Sequence, residues 1–389
     1  PFGVPQIPLA IAGLQLFDLH GITTPPIVYG NFDALRALVY PNDAVPAGSE
    51  LLLDHTTVTE HSYDGYVKLD FAGNIAALPL TGDVGVRVSH MQSDSSGFQT
   101  QDSIGYTPVT VGDDYTNVLP SLNAVLRLTD QQMLRFGASI GISRPPLDAL
   151  VTGFTLNTTA SPPTGSGGNP QLRPYKADQV DLSYEWYFHE ESLLAVAPFF
   201  KHLSNIIGAS QALEDIGGVN YLVTTENNAP GGHVDGVELT FQTRFFFLPG
   251  YLRNLGIYGN YAYVDSNIHE LTPEPDAFSM VGLAKDTSEL DLYYDQSGFE
   301  TRVSWKHHSP FTVAPTWVAT SLKTLAAEDL FDASVSYTWD TRWSVRLQGA
   351  NLTNERARFT TDNTPENLAN DGGYQLYGRT YQLDLSLRR

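Results

Sequence analysis

From Ser288 to Pro310, apolar and polar side chains alternate in two runs joined by Asp295-Gln296-Ser297-Gly298. Leu290, Leu292 and Tyr294 share one face, opposite Glu289 and Asp291. After the turn, Phe299, Val303 and Trp305 share a face, opposite Glu300, Arg302, Ser304 and Lys306. A period of two predicts strands whose two faces meet different surroundings. One face carries full charges, which a packed core does not accept unpaired. The other is aromatic at its ends, as at a membrane interface. The pattern recurs along most of the chain and predicts an all-β fold, a transmembrane antiparallel β-barrel.

The alternation predicts 13 strands, over 58–71, 82–91, 115–128, 133–143, 178–188, 193–203, 233–246, 254–265, 287–295, 299–308, 329–339, 343–350 and 377–388. Connections alternate in length. Those at 129–132, 189–192, 248–253, 295–298 and 340–342 are short, and 72–81 is somewhat longer. Those at 92–114, 144–177, 204–232, 266–286, 309–328 and 351–376 are long and rich in Gly, Pro, Asn, Thr and Ser. In a membrane barrel, short turns sit at the periplasmic rim and long loops at the extracellular rim. Trp186, Phe188, Phe245–Phe247, Trp339 and Trp343 cluster beside short turns, as a girdle requires. By this parity the first and last strands both run inward and cannot pair antiparallel. Two resolutions stay open: a strand missed within 1–57, or a chain that is the C-terminal part of a larger barrel. Residues 1–57 read as an extracellular loop region, with a short helix over Phe32–Tyr40.

Composition excludes several classes. Asp+Glu number 43 against 22 Lys+Arg, a formal charge of −21, which argues against a nucleic-acid surface. The absence of cysteine excludes disulfide scaffolds and thiolate metal sites. No apolar run is long enough for a transmembrane helix, and barrel strands need none. His307-His308 point to opposite faces and make a poor chelating pair. Gly165–Gly168 lacks the Lys-Ser/Thr of a phosphate cradle, and no G-x-S-x-G elbow occurs, so no catalytic residue, metal site or cofactor is assigned. The acidic pairs Asp113-Asp114 and Glu214-Asp215 read as solvated loop charge. Arg127, Arg135, Glu185, Glu238 and Arg302 are expected to face the lumen.

Several segments, in order, resemble TonB-dependent outer-membrane receptors. They are NVLPSLNAVLR at Asn117–Arg127, RFGASIGISRP at Arg135–Pro145, NPQLRPYKADQVDLSYEWYF at Asn169–Phe188 and NNAPGGHVDGVEL at Asn227–Leu239. NYAYVD at Asn260–Asp265, the hairpin at Ser288–Pro310, GANLTNERAR at Gly349–Arg358 and the segment Tyr374–Leu387 complete the set. The resemblance covers roughly 58–389 and is nearest to the branch linked to carbohydrate uptake. It implies a barrel of about 22 strands, of which this chain supplies the last part. It also implies a plug domain and a TonB box outside this chain. The implied partners are the TonB–ExbB–ExbD system, lipopolysaccharide and outer-membrane lipid, and a nutrient ligand, either a carbohydrate or a metal chelate such as a siderophore. The five lumen residues would then contact the plug. Ligand contacts are expected in the outer loops, where aromatic and amide groups suit a sugar. Tyr106, Asn228 and Trp317 are the candidate substrate-binding residues. Two other readings fit the pattern: a passive porin-like or fatty-acid-transporter-like barrel of about 14 strands, and a surface binding or adhesion barrel.

Overall fold

The computed structural model describes residues 55–101, 105–216, 218–269, 279–313, 324–339, 342–360 and 371–387, and four short strands between Ala12 and Gly30. The chain divides into two compact units, Pro1–His55 and Thr56–Arg389. In the first, Ala12–Gln15 pairs antiparallel with Ile27–Gly30, and Asp18–Leu19 with Ile22–Thr23. The helix expected over Phe32–Tyr40 lies outside the described residues.

The second unit is built on a wall of thirteen strands. They are β1 (Thr57–Ile75), β2 (Leu78–Gln101), β3 (Gly105–Arg127), β4 (Gln132–Ser143), β5 (Tyr175–His189), β6 (Ser192–Ser204) and β7 (Gly231–Arg244). There follow β8 (Leu255–His269), β9 (Asp286–Gln296), β10 (Phe299–His308), β11 (Glu328–Trp339), β12 (Trp343–Ala350) and β13 (Thr380–Leu387). Each pairs antiparallel with the next, as a barrel wall. Every strand expected from the alternation is present. With thirteen strands, β1 and β13 run in the same direction, so an antiparallel seam between them is excluded.

Five expected loops carry strand structure instead. Phe154–Asn157 pairs antiparallel with Thr164–Gly167, and Phe311–Thr312, Thr324–Leu325, Ala357–Thr360 and Asp371–Gln375 form a four-stranded sheet. The segment 92–114 continues the β2–β3 ladder as far as Gln101↔Gly105. Its Ser, Asp and Gly residues read as loop, yet Met91, Ser93 and Ser95 are buried, and Gly97 lies against Thr152 of the 144–174 connection. Tertiary cover overrides weak strand propensity here. The segment 204–232 contains an antiparallel hairpin, Ile206–Ile216 with Val219–Ala229.

Register assigns the wall residues to two faces, because successive side chains alternate. One face pairs Leu290 with Trp305, Leu292 with Val303, and Leu347 with Leu383. Its apolar groups stand open: Leu385 is 72% and Val67 64% exposed. Apolar surface this continuous requires a non-aqueous neighbour. At the short-turn end the same face carries an aromatic belt. Trp186 and Phe188 lie 5.4 Å apart, Tyr294 and Phe299 6.0 Å, and Trp339 and Trp343 6.4 Å between ring centroids. The opposite face is polar. Among the described residues the one cluster of buried apolar side chains sits at the long-loop end, where Ala149, Leu150 and Leu172 pack with Val58 and Ile207. The wall thus has no conventional core; it buries its backbone in its own ladders and needs a membrane for its apolar face.

Candidate solute-binding surfaces

The polar face holds a cleft. Glu289 and Asp291 of β9, Arg302 of β10, Asp332 of β11 and Arg346 of β12 all line one cleft of about 790 Å³. Cross-strand pairing stacks its rungs as Glu289↔Lys306, Asp291↔Ser304, Tyr293↔Arg302 and Asp295↔Glu300. Asp291 is 2% exposed, and its Oδ2 accepts from Arg302 Nη1 at 3.1 Å. Arg302 also lies over the Tyr293 ring, 5.9 Å from its centroid. A buried carboxylate is costly without a cation, so Asp291 fixes Arg302 while leaving most of its guanidinium in the cleft. Lys306 faces Asp332, a partly exposed carboxylate, at 3.4 Å.

A second cleft of about 330 Å³ lies along β3–β7, with Arg135, Asp181, Lys201 and Glu238 in its lining. Arg135 Nε donates to Glu185 Oε1 at 2.7 Å, and Tyr187 donates to Glu185 Oε2 at 2.7 Å. Arg127, Arg135, Glu185, Glu238 and Arg302 therefore all lie on the polar face: Arg127 and Glu185 stand opposite Met133, and Glu238 opposite Ala197 and Ala262.

At the long-loop end, the 144–174 connection is latched onto the 206–229 hairpin. Asn169 Nδ2 donates to the Glu226 carbonyl at 3.1 Å and to Asn227 Oδ1 at 3.0 Å. Arg173 forms a two-nitrogen contact with Asp113, at 2.6 and 3.3 Å, and lies over the Tyr115 ring. Asn228, expected to meet a ligand, is engaged within the protein. Its Oδ1 accepts from the Arg173 N–H at 2.8 Å, and its Nδ2 donates to the carbonyls of Arg173 and Asn205 at 2.9 and 3.1 Å. Both amide donors are committed, so the residue fastens the lobe. Asp113, read from the sequence as solvated, is the ion partner of Arg173, and Asp215 Oδ1 accepts from the Gly218 N–H in the hairpin turn at 2.9 Å. Burial and the nearby Asp148 raise the Glu226 carboxyl above its ordinary value. The side chain of Tyr106, and Trp317 altogether, lie outside the described residues.

His307 and His308 are separated as expected for neighbours on a strand. His307 Nδ1 is 3.0 Å from Asp329, and His308 Nε2 is 3.2 Å from Glu328. The NLTNE segment is a turn: Asn351 has φ +52, donates to the Glu355 and Gly378 carbonyls, and accepts from the Glu355 N–H.

Sequence reasoning missed the burial of Asp291 and the 206–229 hairpin. The turn signal Asp215-Ile216-Gly217-Gly218 between two apolar-containing runs pointed to the hairpin. Nothing in the local pattern distinguishes Asp291 from Glu289.

The family described as TonB dependent receptor-like, beta-barrel, matches residues 12–352. No curated protein matches the chain. Among solved structures, a variant of the ferric enterobactin receptor PfeA from Pseudomonas aeruginosa, in complex with enterobactin, is 15% identical with TM-score 0.57. It covers 85% of this chain, and 54% of its own length is matched. The siderophore receptor PirA from Acinetobacter baumannii gives TM-score 0.55 at 14% identity, covering 85% of this chain and 55% of its own. The ferric-catecholate import receptor Fiu from E. coli gives 0.57 at 14%, covering 85% and 45%. At these identities the likeness is one of fold, and the chain spans about half the length of these receptors.

Proposed function

The chain belongs to the TonB-dependent receptor family, as its β-barrel portion, and from that premise we propose that it is the wall of an energy-coupled uptake receptor in the bacterial outer membrane. Its short turns lie at the periplasmic rim and its long loops outside. Solute is captured at the long-loop end and passes along the polar face. TonB, with ExbB and ExbD, supplies the force through a plug and TonB box that these residues do not include. The polar face, with Arg127, Arg135, Glu185, Glu238 and Arg302, meets that plug, and the apolar face meets outer-membrane lipid and lipopolysaccharide. The nutrient is a carbohydrate or a metal chelate, and no covalent step is involved.

One observation carries this reading: a two-faced wall of thirteen strands on which the family match lies. Cells lacking the gene should lose growth on one scarce carbohydrate or chelate, and cells lacking TonB should lose it equally. Growth unaffected by TonB defeats the reading. A stable open-channel current from this chain in a planar bilayer would favour a passive barrel instead.

A further inference from the structure

We infer that the cleft along β7–β12 is a transit site for an uncharged, polyhydroxylated solute, and that the receptor discriminates against anionic chelates. This rests on the uptake reading above and specifies its substrate class.

Three properties of the cleft lead there. The first is shape. Its rungs run from Asp295↔Glu300 near the short turns to Glu289↔Lys306, three two-residue steps along the strands. That is about 20 Å at roughly 3.4 Å per residue, a track for an elongated molecule. Its volume of about 790 Å³ lies within the range of small-molecule sites.

The second is chemistry. Donors and acceptors lie side by side along the track: the Arg302 guanidinium donates, the carboxylates accept, and the Gln242 and Gln348 amides do both, with the rings of Tyr258 and Tyr293 among them. A sugar hydroxyl donates and accepts at once, so such a lining satisfies it from either side. The key donor is preset, because buried Asp291 and the Tyr293 ring hold Arg302 in place before a solute arrives. Preorganisation lowers the ordering cost of binding.

The third is charge. Among the described lining residues six are carboxylates, and three, Arg302, Lys306 and Arg346, are cations. Two of those three cations face a carboxylate within 4 Å, and Arg244 beside the cleft pairs with both Glu191 and Asp295, so two negative charges remain in excess. The chain as a whole carries −21. A multiply anionic chelate meets net repulsion along this track, whereas a neutral polyol does not.

The experiment uses the full-length receptor in cells lacking their own copy. The probes are labelled maltohexaose, xylohexaose and chitohexaose on one side and ferric citrate on the other. At least one hexasaccharide should enter, and ferric citrate should not. Arg302→Gln and Gln348→Leu should each slow that uptake about five-fold or more, the loss of one directed hydrogen bond, while binding to de-energised cells stays unchanged. Arg302→Lys should restore part of the rate. Gln348→Leu leaves the Asp291–Arg302 pair intact, so folding failure cannot imitate its effect. Entry of ferric citrate alone, entry of no hexasaccharide, or wild-type uptake by both variants overturns the inference. Variants that admit large antibiotics while hexasaccharide uptake stays at the parent rate assign the cleft to seating the plug alone, and also overturn it. Hexasaccharide uptake that persists without TonB defeats the energy-coupled reading while the two variants still test the cleft.

Discussion

Asn228 and Arg173, 55 residues apart, hold each other by reciprocal bonds: the Asn228 amide accepts from the Arg173 N–H and donates to the Arg173 carbonyl. A side-chain amide here replaces a strand partner for a loop residue, joining the 144–174 connection to the 206–229 hairpin. Asn228→Leu keeps the volume and removes three bonds. It should lower the local opening free energy by about 1–3 kcal/mol. Hydrogen exchange should accelerate across 168–178 and 205–229, with the wall ladders unchanged. Exchange that stays at the parent rate in the lobe would show the latch to be redundant.

Glu226 gives the same lobe a pH dependence. Burial and the neighbouring Asp148 raise its carboxyl. A group with a folded pKa above its unfolded value binds more protons when folded, so stability falls as pH rises between the two values. The lobe should therefore be more protected from exchange in mildly acidic medium than at neutral pH, after correction for intrinsic rates. Glu226→Gln should abolish the difference and fix protection at the higher level. Protection that instead grew with pH would contradict the assignment.

Leu347 and Gln348 are neighbours on β12 that face apart. Leu347 stands between Val335 and Leu383, and Gln348 between Ser334 and Gln382. Leu347→Lys should cost about 2–4 kcal/mol of unfolding free energy in lipid, as a cation in the apolar band does. Gln348→Lys should change it by less than about 1 kcal/mol, because its face is wet. Urea titrations of the folded protein in vesicles measure both. Equal costs would mean that both faces are buried alike.

The strands were legible because each face keeps one environment over its length; β9 and β10 show this through Leu290 with Trp305 and Asp291 with Ser304. The ordered extension beyond Met91 was not, because its Ser and Gly residues gain strand structure only under the Thr152 segment. Placing the polar face was possible for Arg135 and Glu185, whose positions follow from period two, and their 2.7 Å contact agrees. The role of Asn228 was not legible. Its type and loop position suit a ligand, but its partner is set by tertiary structure. Asp291 and Glu289 have the same local pattern, and only the neighbouring strands bury the first.

Three wall turns have two residues, after the pairs Ile75↔Leu78, His189↔Ser192 and Gln296↔Phe299, and the first is the least expected in composition. Ala76 and Ala77 join β1 to β2 directly after the pair Ile75↔Leu78, with φ of +46 and +68. Two left-handed residues make the turn that matches the strand twist, and its usual occupants are Asn and Gly. Alanine has neither the side-chain hydrogen bond of Asn nor the freedom of Gly, which is why the alternation suggested a longer connection. Each left-handed Ala costs roughly 1 kcal/mol. Replacing the pair by Ala76→Asn and Ala77→Gly should therefore stabilise the β1–β2 hairpin by about 1 kcal/mol or more, since the ladder on both sides remains. The urea midpoint of the folded barrel should rise with an unchanged slope. A lower midpoint would mean that the alanine methyl groups make contacts worth more than the backbone strain they impose.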